Sequence, residues 1–206
     1  MADGGAGAAD LLRAIKNQTG SYVGIDFTDI YGEGFDRLFA SAADEADFIV
    51  TNEMSVAQGT GIDVKEGDVV NCENLLLATQ TVIDRHPNLQ WIAVHWPLGG
   101  LFYRNDHKAL AYPVQQLHEG DFIGSTGAGD NWTVGFLASA YLGKDPLFAL
   151  HLATTAAAKS LGALSGSDAS GSLTELMEFS RTRSLLKIDP ALEGLYPKTE
   201  PVNWGY

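Results

Sequence analysis

The sequence predicts an α/β fold in which helices cover the faces of a sheet. Short apolar runs at residues 22–27, 48–51 and 91–95 have the length and the β-branched or aromatic content of buried strands. Stretches of helical periodicity lie between the first two runs and after the second, so strands and helices alternate. Neither a repeat nor an evident linker interrupts the 206 residues, and one domain is the simplest organisation.

Residues 1–9 are rich in Gly and Ala and are expected to be loose. From Asp10, a candidate N-cap, Leu11-Leu12-Arg13-Ala14-Ile15-Lys16 has helical spacing, and Asn17-Gln18-Thr19-Gly20 ends it. The strand that follows closes on the carboxylate of Asp26. A helix is expected over residues 35–43, and the next strand runs straight into Asn52-Glu53. Asn71 caps a long amphipathic helix that places Leu75, Leu76, Thr79, Val82 and Ile83 on one face before Pro87. After the strand at 91–95, Pro97-Leu98-Gly99-Gly100 turns into Leu101-Phe102-Tyr103-Arg104. Asn105-Asp106-His107-Lys108 then turns into residues 109–114, which reads as a hairpin. Helices are expected at 132–142, from the Asp145-Pro146 cap onward, and at 173–184. The tail 189–206 holds three prolines and is expected to be irregular.

Composition narrows the function. Hydrophobic residues make up 45% and charged residues 19%, an ordinary globular balance. The net charge of −13 repels a phosphate backbone, so nucleic acid is not an expected partner, although a local site can still hold one nucleotide. Cys72 is the single cysteine, which excludes an intramolecular disulfide and suits a reducing compartment. No apolar run approaches the ~20 residues of a membrane helix, and the N-terminus lacks a basic segment followed by an apolar one. A cytoplasmic protein without a membrane partner is expected. His86, His95, His107, His118 and His151 have no metal-ligand spacing, and no protein metal site is expected. Trp91, Trp96 and Trp132 are expected in core or rim packing, with Trp96 beside Pro97 a candidate for stacking on a base.

The chemistry concentrates in Ser125-Thr126-Gly127-Ala128-Gly129-Asp130, with a helix after it. Gly127, Ala128 and Gly129 have little or no side chain, so a ligand can approach the main chain. A helix opening there aims unpaired N–H groups and its positive end at the same spot. Such a turn holds an anion, most naturally a phosphoryl group in transfer, with Asp130 at its edge to take the proton of an attacking hydroxyl. Taken alone the tetrapeptide also reads as a tight turn in which Asp130 is an N-cap.

At these residues the sequence resembles the ribokinase-like (pfkB) carbohydrate kinases, whose signature is Asp-Thr-x-Gly-Ala-Gly-Asp-x-Phe-x-x-Gly. Weaker likenesses occur in the family's order: Ile25-Asp26-Phe27, Val50-Thr51-Asn52-Glu53, the strand and loop at 91–101, and Ala153-Thr154-Thr155-Ala156-Ala157-Ala158. The resemblance implies a three-layer α/β/α sandwich that lacks the family's N-terminal strands and lid. It implies ATP and Mg²⁺ as cofactors and transfer of the γ-phosphoryl group to a hydroxyl of a sugar-like acceptor. Carried over residue by residue, Gly127, Ala128 and Gly129 would form the anion hole after Thr126, and Asp130 would be the base. Asn52 would organise the magnesium and phosphate shell through water, His95 and Gly100 would line the triphosphate loop, and Thr154 would lie near the base or ribose.

The sequence departs from the pattern at five points. Gly124 stands where the family has the Asp that helps bind a monovalent cation, so no potassium site is carried over. Ser55 replaces the Glu of Asn-x-x-Glu, with Glu53 as a substitute. Pro97 opens the nucleotide loop, and Thr133 takes the aromatic position after the base, beside Trp132. By the resemblance, the chain is also expected to begin partway through the family's domain. A partner chain or a second copy would then complete the sheet, or the chain is a truncated product, or its strands rearrange. The leading reading is therefore an ATP-dependent carbohydrate kinase, with a non-catalytic nucleotide-binding or interaction module as the alternative.

Overall fold

The computed structural model describes residues 3–28, 32–168 and 170–197. Its elements run α1 (Ala6–Thr19), β1 (Gly24–Phe27), α2 (Phe35–Ala43), β2 (Phe48–Asn52), α3 (Glu53–Thr60), β3 (Lys65–Glu66), β4 (Val69–Val70) and α4 (Cys72–Arg85). The second half holds β5 (Trp91–Trp96), β6 (Gly99–Arg104), β7 (Ala109–Pro113), α5 (Ala128–Tyr141), α6 (Pro146–Ser160) and α7 (Leu173–Arg181).

Five strands form the main sheet in the order β1-β2-β5-β6-β7. β1, β2 and β5 are parallel, because the chain must cross over through helices to return. β5, β6 and β7 are antiparallel, because tight turns join them. β3 and β4 make a separate small hairpin.

Alternation along the strands divides the core between the two faces of the sheet. Ile49, Ile92, Val94 and Leu101 pack on one face against Phe35 and Phe39 of α2 and Leu75, Ala78 and Val82 of α4. Val50, Ala93, Phe102 and Tyr112 pack on the other against Trp132 and Phe136 of α5 and Leu150 and Ala153 of α6. The result is a three-layer α/β/α arrangement. α6 is buried along most of its length, since α7 covers its outer side through Leu176 and Met177.

Several boundaries depart from the expectations. α1 begins at Ala6, inside the segment expected to be loose, because the Asp3 carboxylate accepts the N–H groups of Gly5 and Gly7 at 3.0 Å. Asp10 is consequently mid-helix and pairs with Arg13, so it is not the cap. α3 was not anticipated. Asn52 accepts the Ser55 N–H at 2.9 Å and starts a helix straight from the strand end. In the tail, Pro190–Leu195 is a 3₁₀ turn that buries Leu192 in the core; residues 198–206 lie outside the described residues. No described helix is long and apolar enough to cross a membrane.

Candidate active site

The C-terminal ends of β2 and β5, the β5–β6 turn and the N-terminus of α5 surround a cleft of about 340 Å³. Parallel strands aim their last residues at this end of a sheet, which is why α/β folds place ligands there. Asn52 and His95 are register partners across β2 and β5, and both line the cleft. Ala128 and Gly129 line it from α5, and Thr154 with Ala157 and Ala158 from α6.

The turn before α5 has the geometry of an open helix end. Gly127 is the N-cap in the left-handed region, with φ 79° and no side chain capping the helix. A Cβ on Gly127 would stand 2.8 Å from Gly166 Cα, so only glycine fits between the turn and the 166 loop. Asn131 ties those two segments together by donating to the carbonyls of Gly127 at 2.9 Å and Gly166 at 3.0 Å. Ala128 N–H is engaged, donating to Ser125 O at 3.2 Å. The N–H groups of Gly127, Gly129 and Asp130 donate to no protein group among the described residues. Of the residues expected to form an anion hole, Gly127 and Gly129 keep their amides open, as does Asp130, while the amide of Ala128 is engaged.

Asp130 is the third residue of α5 and exposed, so it is not an N-cap. Its Oδ2 lies 3.8 Å from where a Gly127 Cβ would be, beside the turn. Asp26, at the end of β1, is close enough to feel Asp130. Asp26 is exposed by surface area, yet partial desolvation by the groups around it raises its carboxyl above the ordinary range, and the charge of Asp130 adds to that.

His95 stands against the turn: a Cβ on Gly129 would lie 3.1 Å from its Cε1 and 3.4 Å from Nε2. Its ring also meets Trp132, with centroids 5.2 Å apart. Gly100, expected to line the triphosphate loop, is instead buried under the Trp132 indole, where a Cβ would sit 2.6 Å from the ring. Gly99 takes the place on the cleft wall. The reason is that Pro97 and Leu98 form a two-residue hairpin turn with Trp96 paired to Gly99, which puts Gly100 on the packed face of β6. Thr154 lines the cleft, but its hydroxyl donates into the helix backbone, to Leu150 O at 3.0 Å and His151 O at 3.1 Å. It therefore supplies surface and not a donor. Thr126 is exposed ahead of the turn and does not line the cleft. Trp96 packs in the core with 8% exposure and also borders the cleft, beside Pro97.

The cleft also holds Glu53, named from the sequence as the substitute for the missing acid, and apolar residues that sequence reasoning did not single out. Glu53, buried in the first turn of α3, faces it and pairs with Lys65 at 3.5 Å. Val114, Phe122 and Leu161 form an apolar end. Val114 and Phe122 sit in irregular segments without periodicity, and no sequence signal marks them.

No family model and no curated protein matches the chain. Solved structures do. A ribokinase from Arabidopsis thaliana, complexed with ribose and ATP, superposes with a TM-score of 0.68 at 17% identity, over 84% of this chain and 52% of that one. A 2-dehydro-3-deoxygluconokinase from Thermotoga maritima gives 0.64 at 15%, over 84% and 53%. A nucleoside kinase of the ribokinase family from Methanocaldococcus jannaschii gives 0.61 at 17%, over 83% and 52%. The chain spans about half the length of the structures it matches. It has the ribokinase-like fold, shared with sugar and nucleoside kinases over that half.

Proposed function

We propose that this chain binds the phosphates of ATP at the N-terminus of α5 and transfers the γ-phosphoryl group to a hydroxyl of a sugar-like acceptor. The observation that carries the reading is the pairing of an open helix end with a carboxylate: amides of Gly129 and Asp130 without protein partners, and the Asp130 side chain beside them. Phosphoryl transfer asks the protein mainly for positioning and for charge stabilisation, and this arrangement supplies both. In the step itself, the acceptor hydroxyl gives its proton to the Asp130 carboxylate as its oxygen bonds to the γ-phosphorus. The bond from that phosphorus to the β–γ bridging oxygen breaks, and ADP leaves.

The apolar end at Val114, Phe122, Ala157 and Leu161 suits the base, and the end at Asn52, His95 and Gly129 suits the phosphates. Magnesium on a triphosphate takes most of its oxygen ligands from phosphate and water and needs one or two carboxylates from the protein. Glu53 on the cleft wall fits that need, and Asn52 beside it can hold the surrounding water. Bound there, the ion would screen the charge of the phosphates.

The second reading is a nucleotide-binding module without turnover. It is favoured by Ser55, buried with a hydroxyl that has no partner among the described residues, where the resemblance implies an acid. A partner chain or a second copy that completes the sheet beyond β1, which pairs on one side only among the described residues, would supply acceptor contacts. Calorimetric titration with Mg·ATP, followed by an ADP-release assay over a panel of sugars, separates the two. Binding with turnover supports the kinase, binding alone supports the module, and absence of binding removes both.

A further inference from the structure

We propose, resting on the reading of the α5 helix end as a phosphate site, that Asn131 is its positioning residue: the side-chain amide clamps the turn before α5 in the shape that keeps the first amides of the helix aimed at the cleft. The need for a clamp follows from the residue types. Glycine visits both halves of φ space at little cost, and helix ends fray. Gly127, Ala128 and Gly129 do not hold a left-handed turn by themselves, and no side chain caps α5.

Asn131 does the holding with its main chain and its whole side chain. Its backbone N–H donates to Gly127 O at 3.0 Å. The two hydrogens of its side-chain amide go to Gly127 O at 2.9 Å and Gly166 O at 3.0 Å. One residue thus takes both lone pairs of the Gly127 carbonyl. The Ser170 hydroxyl closes the network, 3.1 Å from Asn131 Oδ1 and 3.0 Å from Gly166 O. Only this orientation of the amide works, since Oδ1 in the place of Nδ2 would face two carbonyl oxygens. From the opposite side Gly166 presses on the turn: a Cβ there would stand 2.9 Å from Gly127 Cα and 3.1 Å from Asn131 Nδ2.

Asn131 itself does not line the cleft. It lies on a small pocket at the outer side of α5, with Val134, Ala138 and Leu173, whereas Ala128, Gly129 and Trp132 line the cleft. Any effect on a bound phosphate therefore passes through the turn. The join also needs no ion. Carbonyl oxygens of separate segments can be bridged by a cation or by an NH₂ group, and here the side chain occupies the bridge. Gly124, where the resemblance puts a cation-binding Asp, brings no carboxylate to this stretch, although a Cβ there would stand 3.3 Å from Ala163 O. Phosphate binding should accordingly be indifferent to potassium.

Hydrogen exchange of the free chain, with calorimetric titration by Mg·ATP, tests the clamp. In Asn131→Ala the amides at positions 128 and 131 should exchange at least about tenfold faster while the rest of α5 stays protected. Affinity for Mg·ATP should fall about tenfold, because binding must then order the turn. The melting temperature should stay within about 3 °C, since alanine is the better helix former. Asn71→Ala, which removes the cap of α4 on the other face of the sheet, should do the reverse, lowering the melting temperature at unchanged affinity. The parent chain should bind Mg·ATP equally, within about twofold, in potassium and tetramethylammonium chloride of one ionic strength. If Asn131→Ala does not fold, Ser170→Ala, which unpairs Oδ1, should show the same pattern at smaller size. Unchanged exchange at 128 and 131, unchanged affinity, an equal affinity loss in Asn71→Ala, or a potassium requirement in the parent would each overturn the proposal. Failure of the parent to bind Mg·ATP would remove the proposed function instead, and the exchange rates would still decide the clamp.

Discussion

His95 and Gly129 are in contact only because Gly129 has no side chain: a Cβ there would stand 3.1 Å from His95 Cε1. The contact seats an imidazole against the open end of α5, where the proposed phosphates rest. Gly129→Ala should therefore separate stability from binding. Alanine favours the helix by ~1 kcal/mol over glycine, so the melting temperature should hold or rise. The shifted His95 ring should cost nucleotide affinity about tenfold, of the order of one overpacked contact. Parallel thermal melts and calorimetry check both halves.

Gly127 tests the turn itself. Its φ of 79° and the 2.8 Å approach to Gly166 leave no room for a side chain. Gly127→Ala should destabilise the fold by about 1–3 kcal/mol and lower the melting temperature by roughly 2–4 °C per kcal/mol. Nucleotide binding should fall with it, because the first amides of α5 would be displaced.

Asp130 tests the chemistry. Asp130→Asn keeps the size and loses the base, so turnover should fall by about 10²–10⁴ while Mg·ATP affinity stays near the parent value. Steady-state rates beside calorimetry report the split. Undiminished turnover would remove Asp130 from the mechanism.

His151 predicts a pH dependence of stability. It is buried between Tyr112, at 2.9 Å on Nδ1, and Ser180, at 3.1 Å on Nε2, and burial lowers its pKa from 6.5 to about 4. Its folded pKa lies below its unfolded one, so between them the unfolded state binds more protons and stability rises with pH. The contribution is complete above about pH 6.5 and is lost as pH falls toward 4, at most about 3 kcal/mol. Denaturant melts at pH 7.0 and 4.5 should show this loss, and His151→Gln should show less of it.

Much of this fold could be read from the residues. The apolar runs at Phe48 and Trp91 became β2 and β5, and Phe35 and Phe39, with Leu75 and Val82, became the buried stripes of α2 and α4. α3 was missed because residues 53–60 bury only Glu53, Ser55 and Val56, two of them polar, and show no stripe. The start of α5 was misread for a related reason. Gly-Ala-Gly looks like a turn, yet the left-handed Gly127 closes the turn and Ala128 already begins the helix. The glycines and Asp130 were visible as a motif, whereas the exchange of Gly100 for Gly99 depended on hairpin register. Phe122 and Val114 reach the cleft from irregular chain that no periodicity describes.

The central claim is that main-chain amides at the start of α5 hold phosphate. Amide chemical shifts of the ¹⁵N-labelled chain, followed while Mg·ATP is added, test it directly. Saturable shifts of the Gly127, Gly129 and Asp130 resonances are expected, with smaller changes at Asn52 and His95. Saturation of the chain with those amide signals unmoved would contradict it.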